Sequence, residues 1–236
     1  MTELLYLSDS YMKNFQAKIV KIIDNHIILN KTTFYPRGGG QLGDIGILKQ
    51  EDKEFTVIDT IKKEGKTLHV LDDNSLNKEI EVYGEINWET RYMNMRHHSA
   101  IHVLCGVMYR DFKALVTGGQ INLDKARVDF DVEGINSENK GEIEEGVNKI
   151  IQKDIKITAK NISREEALNI PDLVRTKPGM ELVNRLKIIR IIEIENFDVQ
   201  ADGGTHVNST KEIGKIEISK IENKGKHNKR IEVKLH

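Results

Sequence analysis

Two pairs of possible metal ligands stand roughly a hundred residues apart in the chain. The segment HHSAIH places His98 and His102 four residues apart, and the segment DGGTH gives Asp202 and His206 the same separation. Imidazole nitrogens and carboxylate oxygens are donors that Zn²⁺ and related divalent ions accept. The four side chains therefore suit one divalent metal site, provided that the fold brings the two pairs together.

The first pair depends on a helix. The chain contains no proline from Trp88 to Phe112. Its apolar residues recur there with the helical period and form one stripe: Ile101, Leu104, Cys105, Met108 and Phe112. His98 and His102 then lie one turn apart on the flank of this stripe, where both can bind one ion. His97 projects onto the other flank, so we expect it to pack rather than to bind metal.

The His98–His102 motif is weak when it stands alone, because two histidines at this spacing are more often a solvated or packed pair. The motif is not HExxH, so no glutamate stands where a zinc protease has its general base. A metal site here therefore needs support from the second pair.

Composition restricts the class of protein. The 236 residues are 31% charged and 38% hydrophobic, which indicates a soluble globular protein of one large or two small domains. The formal net charge of −1 gives no general attraction to nucleic acid, so contact with RNA must come from a local patch. A single cysteine excludes a disulfide within the chain and fits a reducing compartment. With no signal peptide and no apolar run of membrane length, we expect a cytoplasmic protein that has no membrane partner.

Residues 1–86 carry short β-branched runs with turn residues between them, such as Asp24-Asn25, and no helical pattern. Strands this close in sequence predict a β meander or small β-barrel. The triplet Gly38, Gly39 and Gly40 must form a loop. It lacks the GK[ST] ending of a phosphate-binding loop, so it is either a turn or a place where backbone approaches a ligand closely.

Residues 87–236 mix helices and strands. After the helix that begins at Trp88, the pattern predicts two strands around a turn at Asn122–Lys125, a helix near 141–155, and a strand followed by a capping box that begins at Ser163. The isoleucine-rich segment 185–197 predicts a strand that leads into DGGTH. This order predicts an α+β domain with helices on a largely antiparallel sheet.

The C-terminal segment is locally basic. From Lys211 to His236 it has eight lysines and arginines against four glutamates, in the alternating pattern of a hairpin. The densest part, KGKHNKR, is either a solvated hairpin turn or a surface that faces phosphates.

Four segments in this order resemble the AlaX family, the free-standing alanyl-tRNA editing proteins related to the editing domain of alanyl-tRNA synthetase. The matches are TTFYP at 32–36 with GGGQ at 38–41 and GD at 43–44, RHHSAIH at 96–102, GGTHV at 203–207, and KGKHNKRIEV at 224–233. The length and the N-terminal strands resemble the medium-length form. The resemblance implies a barrel domain at 1–86 and a zinc-dependent tRNA-editing domain at 87–236.

The resemblance also implies an activity, namely hydrolysis of the ester that joins serine, and as a further candidate glycine, to tRNA(Ala), while alanine is spared. His98, His102 and His206 would be the catalytic residues and would bind Zn²⁺, with Asp202 as fourth ligand. The commoner family motif has cysteine where this chain has Asp202. Zinc prefers thiolate but also accepts carboxylate, so Asp202 either completes the site or leaves the position to water.

The remaining site residues follow from the same resemblance. Thr32 would pair with the serine hydroxyl, and Gly38, Gly39, Gly40 and Gln41 would shape the pocket. The mischarged acceptor end of tRNA(Ala) would be the partner, contacted through Lys224, Lys226, Lys229 and Arg230. Two other readings stay open, a non-catalytic RNA-binding module with a structural zinc and a metallohydrolase of other esters. The sequence does not decide the oligomeric state.

Overall fold

The computed structural model describes residues 2–73, 75–78, 81–174 and 177–236, without the side chains of residues 177–179 and 182. Within it the chain forms two compact units, Met1–Asn94 and Met95–His236. The domain boundary expected after residue 86 stays a prediction.

A closed six-stranded barrel forms the first unit, in the order β2-β3-β7-β6-β5-β8. Every neighbouring pair within it is antiparallel. Two further short strands pair in parallel outside the barrel. The strands of this unit are β1 (Glu3–Leu4), β2 (Asn14–Ile23), β3 (His26–Leu29), β4 (Lys31–Thr32), β5 (Gly46–Gln50), β6 (Lys53–Lys63), β7 (Lys66–Leu71) and β8 (Glu81–Ile86).

The barrel follows from alternation in its strands. Along β2, Phe15, Ala17 and Ile19 are buried while their neighbours are exposed, which is the pattern of a strand with one face on a core. β2 turns into β3 at Asp24, whose φ is 52°, a conformation that aspartate and asparagine tolerate in tight turns. The small barrel predicted from turn-separated β-branched runs is confirmed.

A buried ion pair between Arg91 and Asp44 also contacts two other segments of the first unit. The Arg91 guanidinium donates to both carboxylate oxygens of Asp44 and to the backbone carbonyls of Ser10 and Thr33. Both charged side chains are almost completely buried, at 0% and 1% exposure. The same carboxylate accepts the N–H of Tyr35, so this pair organises the loops on both sides of the glycine triplet.

The second unit contains the rest of the helix α1 (Trp88–Phe112), whose limits agree with the predicted helix. Two antiparallel sheets follow, a four-stranded one in the order β14-β15-β10-β9 and a three-stranded one in the order β11-β12-β13. The elements after α1 are β9 (Leu115–Ile121), β10 (Ala126–Asp131), α2 (Lys140–Ile151), β11 (Ile157–Ser163), α3 (Arg164–Asn169), α4 (Lys177–Arg185), β12 (Ile188–Ile194), β13 (Asp198–Ala201), β14 (Ile216–Asn223) and β15 (Asn228–Leu235).

Local signals in the second unit predicted these elements well. Ser163 caps α3 by accepting from the N–H of Glu166, and the Glu166 carboxylate accepts the N–H of Ser163 in return. α2 buries Ile143, Val147, Ile150 and Ile151 at helical spacing. The α+β class with antiparallel sheets is confirmed. Among the described residues, no helix has the length and apolar character needed to cross a membrane.

Candidate metal centre

Four donor side chains meet in the second unit. The ligand atoms of His98, His102, Asp202 and His206 all lie within 4.8 Å of one another. The Asp202 carboxylate is 3.5 Å from Nε2 of His98, 4.0 Å from Nε2 of His102 and 3.1 Å from Nε2 of His206. The two pairs that are distant in sequence therefore converge on one point.

These separations fit one tetrahedral ion. Zinc bonds of 2.0–2.2 Å at the tetrahedral angle place neighbouring donor atoms about 3.3–3.6 Å apart. The carboxylate–imidazole distances of 3.1–4.0 Å bracket this value, and no two of the four donor atoms are more than 4.8 Å apart, so rotation of the side chains would complete the geometry. Three imidazoles and one carboxylate are also a donor set that zinc accepts.

α1 supplies the first two imidazoles. His98 and His102 are 4% and 5% exposed and lie one turn apart, with ring centroids 5.2 Å from each other. His97 is equally buried but contributes nothing to the cluster, because its Nε2 lies 3.3 Å from the carbonyl of Leu123 in another direction. The helical period therefore separated the two histidines of the donor cluster from the packed one.

The loop after β13 supplies the other two possible donors, Asp202 and His206. The N–H of Gly204 donates to the Asp202 carboxylate and thereby orients it. A Cβ atom at Gly204 would lie 2.2 Å from Cε1 of His98, a distance that no real contact tolerates. The second glycine of DGGTH is thus required so that the loop backbone can approach the helix histidine.

Ser99 contacts the His206 ring at Nδ1, the nitrogen that does not face Asp202. Its Oγ lies 3.3 Å from Nδ1 of His206 and accepts the N–H of Val207. A partner on Nδ1 leaves Nε2 of His206 directed at the other donors, which is how proteins usually fix the tautomer and the ring plane of a metal-binding histidine.

The protonation states of Asp202 and His206 suit a cation. Desolvation alone would raise the pKa of Asp202, but the charge of His98 and hydrogen bonds from His206 and His98 outweigh it and hold this pKa well below its usual range. Burial, followed by the charge of His98, lowers the pKa of His206 well below its usual value. An ionised carboxylate and a neutral imidazole are the protonation states that metal binding requires.

Comparison with known proteins relates the chain to alanyl-tRNA synthetases and editing proteins. Residues 3–90 match the family described as tRNA synthetases class II (A), and residues 189–232 match the threonyl and alanyl tRNA synthetase second additional domain. The chain is 46% identical to the alanyl-tRNA editing protein AlaX-M of Saccharolobus solfataricus and 38% identical to that of Methanosarcina barkeri, over 98% of both chains in each case. It is also 38% identical to alanine–tRNA ligase of Pyrococcus abyssi, over 94% of this chain but 24% of the ligase.

This chain belongs to the AlaX family of alanyl-tRNA editing proteins. The family resemblance inferred from the sequence is therefore confirmed. As an AlaX protein it carries aspartate at position 202 within the four-donor cluster.

The residues expected to bind the amino acid lie in the barrel unit. Gly38 and Gln41 exchange two backbone hydrogen bonds, and Gly39 and Gly40 between them have φ of 59° and 85°. The triplet is therefore a tight turn in which the two positive φ values require glycine. Gln41 and Thr32 are almost completely buried.

The residues expected to bind RNA differ in their surroundings. Lys224 pairs with Glu222 at 3.0 Å, and Nε and Nη2 of Arg230 donate to the two carboxylate oxygens of Asp129 at 2.6 and 2.8 Å. Lys229 is buried and donates to the side chain of Asn223. Lys226 is the most exposed of the four, with 83% of its side chain accessible and its nearest carboxylate, that of Glu133, 4.0 Å away.

Sequence reasoning missed Arg190 on β12. Its guanidinium donates to the backbone carbonyls of Asp202 and Gly204, and its own carbonyl accepts the N–H of Asp202. Arg190 thus holds the loop that carries two of the four donors. An arginine within an isoleucine-rich strand was the available signal, but the pattern alone does not say what it contacts.

Replacing Arg190 with glutamine is expected to lower zinc affinity by about 10–100-fold, as loss of a group that supports the ligands usually does. Competition with a chromogenic chelator measures this affinity. Arg164→Gln is the matched control, because Arg164 is an exposed arginine of the same unit that donates to the carbonyl of Asn184, which is not part of the cluster. Equal affinities of the two variants would show that Arg190 does not support the site.

Burial of His69 on β7 predicts an acid limit to the stability of the barrel. Desolvation lowers the pKa of this fully buried imidazole from 6.5 to about 4, although a hydrogen bond with Ile27 opposes the shift. As the pH falls through 6.5, the unfolded chain takes up the proton while the folded chain does not. The contribution of His69 to the free energy of unfolding is therefore complete above pH 6.5. It falls by about 1.4 kcal/mol per pH unit between pH 6.5 and about pH 4.

Urea unfolding between pH 4 and 7, followed by the fluorescence of Trp88, measures this slope, since Trp88 is the only tryptophan and packs against the barrel core. His69→Leu should unfold with a shallower pH dependence over this interval. If the two pH profiles were parallel, the loss would come from other groups.

Proposed function

We propose that this protein is a zinc-dependent deacylase that hydrolyses mischarged tRNA(Ala), chiefly seryl-tRNA(Ala) and also glycyl-tRNA(Ala), and spares alanyl-tRNA(Ala). The observation that carries the proposal is the convergence of three imidazoles and one carboxylate within 4.8 Å in a chain of the AlaX family. Editing of alanyl-tRNA is what the names of the relatives state.

Each residue of the cluster has a definite task in this proposal. His98, His102 and His206 hold the ion, Ser99 keeps the His206 ring in plane, and Arg190 and Gly204 position the carboxylate. A bound Zn²⁺ supplies a Lewis acid that polarises the ester and makes water more acidic at neutral pH. With 17% of its side chain accessible, Asp202 is the most exposed of the four donors. Asp202 is therefore the ligand position most open to exchange with water or substrate.

The need for such an enzyme is chemical. A pocket built for alanine cannot strongly reject an amino acid that adds one hydroxyl or lacks one methyl group, so a second site must remove the product. In this proposal Thr32 recognises the serine hydroxyl, and Gly38, Gly39, Gly40 and Gln41 shape the pocket for the amino acid. An alanyl ester offers Thr32 no hydrogen-bonding group, and this difference favours serine over alanine.

A deacylation assay on seryl-, glycyl- and alanyl-tRNA(Ala), with zinc content measured on the same preparation, tests the proposal. Rapid release of serine with alanine retained supports it. Release of serine that survives complete removal of the metal would overturn the role of zinc. Equal hydrolysis of free amino-acid esters would instead support a general metallohydrolase.

The presence of four potential donors, rather than three, favours a second candidate function. Structural zinc sites are closed by four protein ligands, whereas catalytic sites keep one position open. If Asp202 binds the ion permanently, the cluster is closed and the protein is a non-catalytic RNA-binding module. Stoichiometric zinc together with intact seryl-tRNA(Ala) in the assay would select this candidate.

For RNA contact we propose the basic C-terminal hairpin, in which Lys226 is more accessible than Lys224, Lys229 and Arg230. Lys226→Gln should weaken tRNA binding and reduce the slope of log affinity against log salt by about 0.7–0.9, the value of one phosphate contact. Filter binding at several salt concentrations measures the slope. Lys149→Gln is the control, since Lys149 is exposed on α2 and pairs with Glu145. Replacing Lys224, Lys226, Lys229 and Arg230 together should flatten the dependence further, and an unaltered slope would restore a merely solvated hairpin.

A further inference from the structure

A chain of buried hydrogen bonds surrounds the hydroxyl of Thr32. Oγ1 of Thr32 lies 2.8 Å from Nε2 of His69 and accepts the N–H of Phe34 at 3.0 Å. On the other side of the ring, Nδ1 of His69 lies 3.0 Å from the carbonyl oxygen of Ile27. Thr32 and His69 both have 0% exposure.

The direction of these hydrogen bonds follows from the number of donors and acceptors that each group has. A carbonyl oxygen only accepts, so Nδ1 of His69 must carry the proton that faces Ile27. A neutral imidazole has one N–H, which leaves Nε2 as an acceptor, and the Thr32 hydroxyl must donate to it. Burial, which lowers the pKa of His69 to about 4, keeps the ring neutral at physiological pH.

The hydroxyl of Thr32 thus has its only hydrogen committed. It has two lone pairs, of which the N–H of Phe34 uses one. We propose that His69 is a positioning residue that fixes Thr32 as a hydrogen-bond acceptor toward the substrate. This inference rests on the proposed function, in which Thr32 meets the amino-acid side chain.

The inference defines the class of side chain that the site accepts. A side chain that Thr32 recognises must donate a hydrogen bond, as the serine hydroxyl can. Alanine and glycine have no donor on their side chains, so glycyl-tRNA(Ala) would be hydrolysed without this contact. Because Thr32 has no exposed surface, the substrate reaches it only by displacing the groups that cover it. An acceptor whose direction is already set needs no reorientation when the donor arrives.

Two substitutions of His69 distinguish a role in positioning Thr32 from a role in packing against Phe34. His69→Leu keeps an apolar side chain against Phe34, whose ring meets that of His69 edge-on at 5.2 Å, but removes the acceptor. His69→Gln can present an amide oxygen to Thr32 and an amide N–H to Ile27, in the way that the two ring nitrogens do. Both variants leave the metal cluster unchanged in sequence.

We expect His69→Leu to lower kcat/KM for seryl-tRNA(Ala) about five- to tenfold, mainly through KM, as loss of one hydrogen bond to bound substrate does. His69→Gln should recover most of the loss. Zinc content should equal that of the wild type in both variants, and any wild-type rate on glycyl-tRNA(Ala) should be unchanged. In ¹⁵N NMR spectra of the wild type, His69 should show a protonated Nδ1 and an unprotonated Nε2 between pH 5 and 8.

Several results would overturn the inference. These are an unchanged seryl KM in His69→Leu, an equal loss in both variants, or a protonated Nε2 in the NMR spectra. Failure of the proposed function looks different, because the wild type would then leave seryl-tRNA(Ala) intact while the ring tautomer could still be read from the spectra.

Discussion

Replacing His98 with alanine is expected to abolish zinc binding and to lower seryl-tRNA(Ala) deacylation by more than about 100-fold. The estimate is a lower limit, because even residues that only support a metal ligand usually contribute 10–100-fold. His98 provides one of three imidazoles among the four donors, so its loss leaves two imidazoles and one carboxylate to hold the ion. Metal content by atomic emission and single-turnover deacylation measure the two losses on one preparation.

The chain offers a close control for this experiment. His97 is adjacent to His98, lies on the same helix and is just as buried, but it contacts Leu123 and lies outside the donor cluster. His97→Gln should therefore retain zinc and activity. A His98→Ala protein that binds zinc and deacylates at the wild-type rate would show that the cluster is not the catalytic centre.

The second large effect is expected on stability. Arg91→Met leaves the Asp44 carboxylate buried without its cation, which should reduce the free energy of unfolding of the barrel unit by about 3–5 kcal/mol. Arg37→Met breaks a contact with Asp59 in which the arginine side chain is 61% exposed, and such pairs contribute about 0–1 kcal/mol. Urea unfolding followed by Trp88 fluorescence measures both changes.

A double substitution isolates the cost of the unpaired charge. Asn at position 44 is neutral and can still accept the N–H of Tyr35, as the carboxylate does in the wild type. Asp44→Asn combined with Arg91→Met should therefore recover part of the stability that Arg91→Met loses. Similar losses in Arg91→Met and Arg37→Met would mean that burial does not raise the cost of removing one partner.

The sequence predicted the elements that neighbouring residues determine. The apolar stripe of α1 predicted the helix between Trp88 and Phe112 and assigned His98 and His102 to one face, because a helix repeats every 3.6 residues. Ser163 marked the start of α3 because a cap bonds to residues three positions away. The order of four motifs identified the family, since motifs and their order can be read from the sequence without knowledge of the fold.

These local patterns did not predict contacts between segments that are distant in sequence. Arg190 contacts the loop of Asp202, His69 contacts Thr32, and Arg91 contacts Asp44, none of which a period or a cap specifies. The basic hairpin shows the same limit, because its sequence shows the charge of Arg230 but not that Asp129 neutralises it from another strand.

The sequence by itself determined the family, the α+β class and the side chains able to bind a metal. Only the tertiary structure decided that Asp202 lies within reach of all three imidazoles, and that the hydroxyl of Thr32 is already hydrogen-bonded to a buried histidine. The physical reason is that local spacing follows from backbone geometry, whereas the meeting of residues a hundred positions apart depends on how sheets and helices pack around a shared core.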